Sequence, residues 1–560
     1  MKKKIEYIFS KINIDYFIIF IVSLILAIPM LNQKLDVYTD DGIQHIARAF
    51  GTFETIKDGC FVPKIISSFT NSFGYSWNLF YGSLTTYGII LSKLLMGSWI
   101  NAYKFFTYIS LLLSGIFMYI FVYKFSESKK TGLLAGVLYM TFPYHLSDLY
   151  IRNALGEFVS FVFIPLVFLG LYNLFNNKEK NYYLAIGAIG LILTHNLSTM
   201  IVAIFSIIYV IINIKQFKDR YVIKNLCINI IFILLVTSAF WMPLIETKLS
   251  TDYVVYQEGS MSNIEQIENH ELSIKRLFAT PTDERIVFEL GPHIIIMLVF
   301  SFMAFKILKE NKKEYLFFFI SGIFCLWMTT KYFPWKLLPD SLWIIQFPWR
   351  MLQMAGFFLC IICSINMECV IKNYKKLDTL IIIGISLLYI ISLKGYVPYN
   401  DEALVSVENW KLGEMSGKDY EVVAGTAKAE YLPKKAYDNR FYIATRDECI
   451  YMLDGKSIIE DEKKEGHKLE ARITILENNT IFELPYIYYP GYEVRLDGII
   501  CDDTFETENG FLGVKLPKDE NVKLEVEYTG TKLMGFSTVL SIISFIAFCV
   551  YIWKRNNSVK

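Results

Sequence analysis

Several signatures of soluble enzymes are missing from these 560 residues. There is no Walker motif, no GxGxxG, no HExxH and no GxSxG. Nucleotide-driven work and hydrolase chemistry of those kinds therefore have no support. The nine cysteines show neither CxxC…CxxC nor a Cys/His metal spacing. Cys360 and Cys363 lie inside an apolar run and read as small packing residues, while Cys449 and Cys501, in a polar stretch, are a candidate disulfide. Charge is scarce as well: 19% of residues are charged and the net charge is +1, which gives no sign of a nucleic-acid partner. No internal repeat or low-complexity segment stands out.

Apolar residues are abundant. The chain is 54% hydrophobic and 16% aromatic, with a mean hydropathy of +0.38. A soluble protein of this length needs more polar surface, so the composition predicts a polytopic membrane protein. The opening "MKKKIEYIFSKINIDYFIIFIVSLILAIPML" has a basic region and an apolar run without a small-residue cleavage site, and reads as a retained signal-anchor. Apolar runs long enough to cross ~30 Å of hydrocarbon recur near 14–32, 101–123, 131–147, 155–174, 182–197, 198–214, 224–245, 291–308, 314–333, 350–371, 378–394 and 533–553. That predicts about twelve transmembrane helices. The Gly- and Tyr-broken run 79–97 is the ambiguous one.

The positive-inside rule decides how 79–97 is read. With that run re-entrant or interfacial, the N-terminus and the loops at 124–130, 175–181, 215–224, 306–314, 372–377 and 554–560 share one side and hold 23 Lys and Arg. The short loops at 148–154 and 334–349 on the other side hold only Arg152 and Lys336, besides the borderline Arg350 at a span start. Both termini are then expected to be cytoplasmic. Residues 33–100, 246–290 and 395–532 are expected outside. The last of these alternates apolar and polar residues in "FYIAT", "RITILE", "IFELPYIYY", "YEVRLDG" and "VKLEVEYTG", an antiparallel β signature that predicts a sandwich. The expected organisation is a membrane domain over 1–394 with a catalytic first loop at 33–100, a β-rich domain over 395–532, and a final helix and tail over 533–560.

Ionisable residues near spans are expensive and need reasons. In this topology they gather on the outer side. Asp40, Asp41, His45 and Arg48 lie in "YTDDGIQHIARAF", Asp148, Arg152 and Glu157 in "HLSDLYIRNALGE", His195 and Asn196 in "LILTHNLSTM", and Arg350 in "IIQFPWRML". Asp41, His45 and Arg48 are spaced i, i+4, i+7 and share one helical face. Each group also has an ordinary reading. Asp40 or Asp41 can cap a helix, Arg152 and Glu157 can form an interfacial ion pair, His195–Asn196 can be a polar turn, and Arg350 can snorkel to the interface. The aromatic stretches "FGYSWNLFYG" and "YFPWKLL" suit an interfacial belt or a sugar- or lipid-binding groove. Taken together the set suits group transfer from a lipid-embedded donor. A carboxylate takes the proton of an acceptor hydroxyl, and arginines hold a phosphate leaving group. The adjacent aspartates and a nearby histidine also suit a divalent cation such as Mg or Mn.

These residues resemble a known family. A signal-anchor followed by an acidic first external loop is the layout of GT-C glycosyltransferases, and within them the chain looks like the bacterial YfhO-like group, including proteins labelled "6-pyruvoyl-tetrahydropterin synthase-related". The matching pieces are "DDGIQHIARAF", "GYSWNLFYGSLTTY", "SDLYIRNALGE", "THNLS", "QFPWRML", "AEYLP" and "YYPGYEVRLDG…NGFLGVKLP", in order along nearly the whole chain. The resemblance implies an enzyme that takes a sugar from a polyprenyl-phosphate donor and transfers it, usually with inversion, to an envelope glycan, lipid or protein. It puts base or metal duty on Asp40 and Asp41, with His45 in support. Arg48, Arg152, Glu157, His195, Asn196 and Arg350 are expected around donor or acceptor. The acids here are adjacent, whereas the family motif is often Asp-x-Asp or Glu-x-Asp, which leaves the cation an open question. A transporter or flippase of a lipid-linked substrate is the alternative; it would place polar residues at the midplane of broken helices in related halves. An assembly protein is the third reading, and it gives the charge cluster no role.

Overall fold

The computed structural model describes residues 14–32, 41–176, 180–257, 263–279, 288–308, 311–371 and 429–557. The expected span at 378–394, the first part of the 395–532 region and Asp40 lie outside these residues. Helices dominate up to residue 371: α1 (Ile14–Asn32), α2 (Gly42–Lys57), α3 (Leu84–Met96), α4 (Trp99–Ser126), α5 (Lys129–Met140), α6 (Pro143–Tyr150), α7 (Leu155–Phe175), α8 (Tyr183–Ile192), α9 (Asn196–Ile212), α10 (Arg220–Val236), α11 (Ser238–Ser250), α12 (Pro292–Val299), α13 (Ser301–Ile307), α14 (Lys312–Met328) and α15 (Met351–Ile371). A last helix, α16 (Lys532–Asn557), follows the β-domain.

Among the described residues five helices are long and apolar enough to cross a membrane, or six if the α10–α11 pair, bent by 63°, counts as one span. The described residues thus show fewer full-length spans than the twelve expected, one of which, 378–394, lies outside them, and the reasons for the shorter helices are local. Pro143 pushes Phe142 to an extended conformation (ψ 128) and splits the 131–147 run into α5 and α6. The 291–308 run breaks at Phe300 into α12 and α13. The 10 residues of α8 and 17 of α9 reach only ~15 and ~26 Å at 1.5 Å per residue, short of ~30 Å. Helix α3, with 13 residues, spans ~20 Å, too little for the full crossing that 79–97 would need.

Helix α7 runs through the middle, with nearly all of its residues buried between α4, α6, α8 and α15. The bend between α10 and α11 is held from outside: Ser238 Oγ donates to Ser537 O of α16 at 3.0 Å, and the half-buried Lys64 donates from Nζ to Ala239 O at 2.7 Å. One end of the bundle gathers the basic loops. There Arg555 donates to Asn225 Oδ1 (2.7 Å) and Tyr221 OH (3.0 Å), Lys313 to Asn213 Oδ1 (2.7 Å), and Asn311 to Phe125 O (3.0 Å).

The C-terminal domain is a sandwich of two antiparallel sheets, as its alternation predicts. One sheet orders β1 (Tyr451–Asp454), β4 (Thr480–Ile487), β8 (Phe511–Leu516) and β7 (Thr504–Glu506). The other orders β2 (Ser457–Glu465), β3 (Lys468–Ile475), β9 (Asp519–Tyr528), β5 (Tyr492–Leu496) and β6 (Ile499–Ile500). Leu469, Ala471, Ile473 and Ile475 of β3 face Phe482, Leu484 and Tyr486 of β4 across one core. Two expectations fail here. "FYIAT" is helical (Arg440–Thr445), because Ile443 and Ala444 are buried together against the first loop rather than on alternate faces. Cys449 and Cys501 are free thiols.

The sandwich packs on the first loop. Thr70, Asn71 and Ser72 all take positive φ (56, 54 and 65°), turning the chain back sharply. The turn is met by Lys464 Nζ on Ser72 O (2.6 Å), Ile487 N on Phe73 O (2.9 Å) and Asn71 Nδ2 on Ile443 O (3.3 Å). "AEYLP" lies beside it, where Ser76 Oγ donates to Tyr431 O at 2.8 Å and Phe80 stacks on Tyr431 at 5.1 Å. Arg446 pairs with the buried Glu483 at 3.2 Å inside a cage of Phe73, Tyr451 and Phe511.

Candidate functional site

Helix α2 carries the first part of the site. Asp41 sits at its N-cap position, yet its carboxylate makes no capping hydrogen bond. Its backbone N–H instead donates to Arg152 O at 2.9 Å, tying the helix start to the α6–α7 turn. The Asp41 carboxylate lies within electrostatic reach of Arg152, Tyr81 and Tyr103. One turn on, the His45 ring is 6.4 Å from that of Tyr81. Arg48 is fully buried and donates to Asn78 Oδ1 (2.9 Å), Gly82 O (3.1 Å) and Tyr81 O (2.8 Å). The i, i+4, i+7 face is therefore real, but Arg48 meets no anionic partner among the described residues and fixes the 78–82 loop.

That loop is clamped from the other side as well. Asn196 Nδ2 donates to Phe80 O at 2.9 Å, and Leu84 N to Leu193 O at 2.8 Å. A Cβ on Gly82 would come within 2.4 Å of the Leu193 backbone, so the approach requires glycine. Tyr81 is thereby brought to 5.9 Å from the ring of His195, which caps α9 by accepting from Ser198 N at 3.2 Å.

The α6–α7 turn and the start of α15 supply the charged half. Arg152 Nη1 donates to Asp148 Oδ1 (2.6 Å), Tyr144 OH (2.7 Å) and Glu157 Oε2 (3.0 Å). Tyr144 OH donates to Glu157 Oε1 at 2.7 Å. Arg350 Nε stands 3.6 Å from Glu157 Oε2, an ion pair longer than a hydrogen bond, and Gln353 Nε2 donates to Glu157 O at 2.9 Å. Arg350 does not snorkel: its side chain is 12% exposed and its Nη1 is held by Ile345 O (2.9 Å) and Gln346 Oε1 (2.8 Å). Gln346 adopts φ 62, ψ −48, closed by Phe347 N on Ile345 O at 2.6 Å. Such a turn costs of order 1–3 kcal/mol, and here it aims the arginine at Glu157. In both arginines Nη2 takes no acceptor among the described residues.

Four segments far apart in sequence thus bring Asp41, His45, Arg152, Glu157, His195 and Arg350 together, with Arg48 and Asn196 as clamps behind them. The sequence reading missed Tyr81, Tyr144 and Gln353. Only the aromatic density of "NLFYG" hinted at the first of these. Among the described residues no three His, Cys, Asp or Glu are grouped to hold a metal ion, and Asp148 and Glu157 are committed to arginine.

Burial pushes the His45 imidazole down to about 3, with Arg48 and His195 adding to the shift. The unfolded chain takes up that proton near pH ~6.5, the folded chain only far lower. The stability linked to His45 is therefore complete above the unfolded value and is lost as pH falls from there towards the folded one. Thermal unfolding in detergent is expected to weaken steadily on acidification below pH ~6.5, with a shallower slope in His45→Gln. Identical slopes would show His45 solvated.

Comparison with known proteins fits this arrangement. Residues 79–397, more than half of the chain, match the model of the 6-pyruvoyl-tetrahydropterin synthase related domain, described as a membrane protein. The chain belongs to that family. It is also 24% identical to an uncharacterized protein of Lactococcus lactis subsp. cremoris (strain MG1363), across 97% of this chain and 95% of the relative. This family member is a multi-pass membrane protein, and the matched region holds Tyr81, Arg152, Glu157, His195 and Arg350 together.

Proposed function

We propose that this protein is a membrane glycosyltransferase that moves a sugar from a polyprenyl-phosphate donor to a cell-envelope acceptor at the extracytoplasmic face. The observation that carries the reading is the buried Arg152 and the partly buried Arg350 flanking Glu157 beside Asp41, neither giving its Nη2 to an acceptor among the described residues. The gathering of the basic loops at the far end supports cytoplasmic termini and an outward-facing site.

In this reading the Asp41 carboxylate, or that of Asp40, accepts the proton of the acceptor hydroxyl as its oxygen attacks the sugar C1 from the face opposite the phosphate. The C1–O bond to phosphate breaks, and its electron pair leaves with the lipid phosphate. The arginine Nη2 groups stabilise the charge developing there in a site with little water. Glu157 holds both guanidiniums in place, while Arg48 and Asn196 hold the Tyr81 loop. If a divalent cation takes part, Asp40 and Asp41 are the residues that would hold it, and no step above requires one.

The test is donor binding. Protein in nanodiscs is expected to bind polyprenyl phosphate and to lose about 10- to 100-fold in affinity in Arg350→Ala, as for a lost charged hydrogen bond. Equal affinities would remove Arg350 from the phosphate.

A further inference from the structure

The first loop turns back on itself between Ile66 and Tyr75, which exchange both backbone hydrogen bonds at 2.9 and 3.1 Å. Within this hairpin Thr70, Asn71 and Ser72 take φ of 56, 54 and 65°, and Gly74 takes 95°. Glycine adopts that region freely. For three consecutive residues with side chains, one of them β-branched, it costs free energy at each, and such a run persists only where its surroundings hold it. The hairpin supplies little of that hold. Phe73 N donates to Thr70 O at 3.1 Å and Gly74 N to Phe69 O at 3.0 Å, while the buried Thr70 hydroxyl meets no partner among the described residues.

The hold comes from the C-terminal domain. Asn71 Nδ2 donates to Ile443 O (3.3 Å), Lys464 Nζ of β2 to Ser72 O (2.6 Å), and Ile487 N of β4 to Phe73 O (2.9 Å). Three successive residues of the turn are thus bonded to that domain. The Phe73 ring is fully buried there, edge-on to Phe511 at 5.1 Å and beneath the Arg446 guanidinium. The same stretch of chain then enters the site. Tyr431 N donates to Tyr75 OH at 3.2 Å, Ser76 Oγ donates to Tyr431 O at 2.8 Å, and Asn78, Tyr81 and Gly82 receive the Arg48 guanidinium.

We propose that the C-terminal domain is a positioning domain for the site. It holds the 70–72 turn in its left-handed form and so seats the 76–82 segment, with Tyr81, on Arg48 of α2. When the domain is not docked, the turn relaxes to ordinary negative φ and the Tyr81 segment loses its seat. This positioning holds whatever reaction the site performs, so its failure and that of the glycosyltransferase reading are separate events.

The experiment is hydrogen–deuterium exchange of the full-length protein in nanodiscs, read by mass spectrometry over residues 73–82, with β3 and β9 reporting on the core of the sandwich. Asn71→Ala/Lys464→Met removes two of the bonds to the turn and strands no buried charge, because the Lys464 partner Glu448 is half exposed. Exchange over 73–82 is expected to rise about tenfold or more, as for one neutral and one charged hydrogen bond lost, while β3 and β9 keep their wild-type rates. Wild-type exchange over 73–82 would overturn the proposal. Ser72→Gly keeps the bonded carbonyl and removes the cost of a side chain at φ 65°. Its exchange over 73–82 is expected to be slower than wild type, and an equal or faster rate shows a turn that needs no holding and overturns the proposal. If β3 and β9 lose protection in the double variant, Ser72→Gly decides alone.

Discussion

Replacing Glu157 with glutamine is expected to destabilise the protein by about 3–5 kcal/mol, the usual cost of stripping one partner from a buried ion pair. The side chain is 2% exposed and receives Arg152 at 3.0 Å, Tyr144 at 2.7 Å and Arg350 at 3.6 Å. Arg152 keeps Asp148 when that charge goes, but Arg350 is left with only a carbonyl and an amide oxygen. Glutamine preserves the volume, so the loss reports charge rather than packing. The stability is read from chemical unfolding in detergent. Arg350→Met added to Glu157→Gln should recover part of the loss, because it removes the stranded charge. Wild-type stability in the single variant would mean that the pair is solvated.

Asp41→Asn is expected to leave the fold intact and to lower sugar transfer by about 10²–10⁴-fold, the range for a general base. The helix start is held by the Asp41 backbone, whose N–H donates to Arg152 O and whose carbonyl accepts from Gln44 N and His45 N, and asparagine keeps those bonds and the side-chain volume. Donor binding should stay near wild type while kcat falls. Asp40→Asn, assayed beside it, tells which carboxylate takes the proton. Full transfer by the double variant removes the catalytic assignment altogether.

The site was more legible in sequence than the spans. Charged residues near apolar runs carry a large insertion cost, and that cost marked Arg152, Glu157 and Arg350, which the structure brings into one network. The same reasoning did not reveal that Arg48 holds the 78–82 loop, because cost alone does not distinguish a guanidinium open to a ligand from one bonded to backbone carbonyls. Tyr81 was invisible because its position depends on clamps from Arg48 and Asn196, which are 33 and 116 residues or so distant in sequence. The breaks inside apolar runs were not legible: hydropathy averages over Pro143 and Phe300, whereas the backbone does not. The sandwich was legible because period-two alternation sets the faces of β3 and β9 directly. "FYIAT" was misread because tertiary burial at Ile443 and Ala444 overrode β-propensity in a short stretch.

If the protein is the proposed transferase, a glycosidic bond is remade at the site shared by Asp41, Arg152, Glu157 and Arg350. Proteoliposomes holding the purified protein and a polyprenyl-phosphate donor labelled in both sugar and lipid test it most directly, with an envelope-lipid extract as acceptor. Release of lipid phosphate and appearance of the sugar label in a new linkage are expected, both abolished in Asp40→Asn/Asp41→Asn and in Arg350→Ala. Movement of the intact doubly labelled lipid between leaflets, with no bond broken, would contradict it.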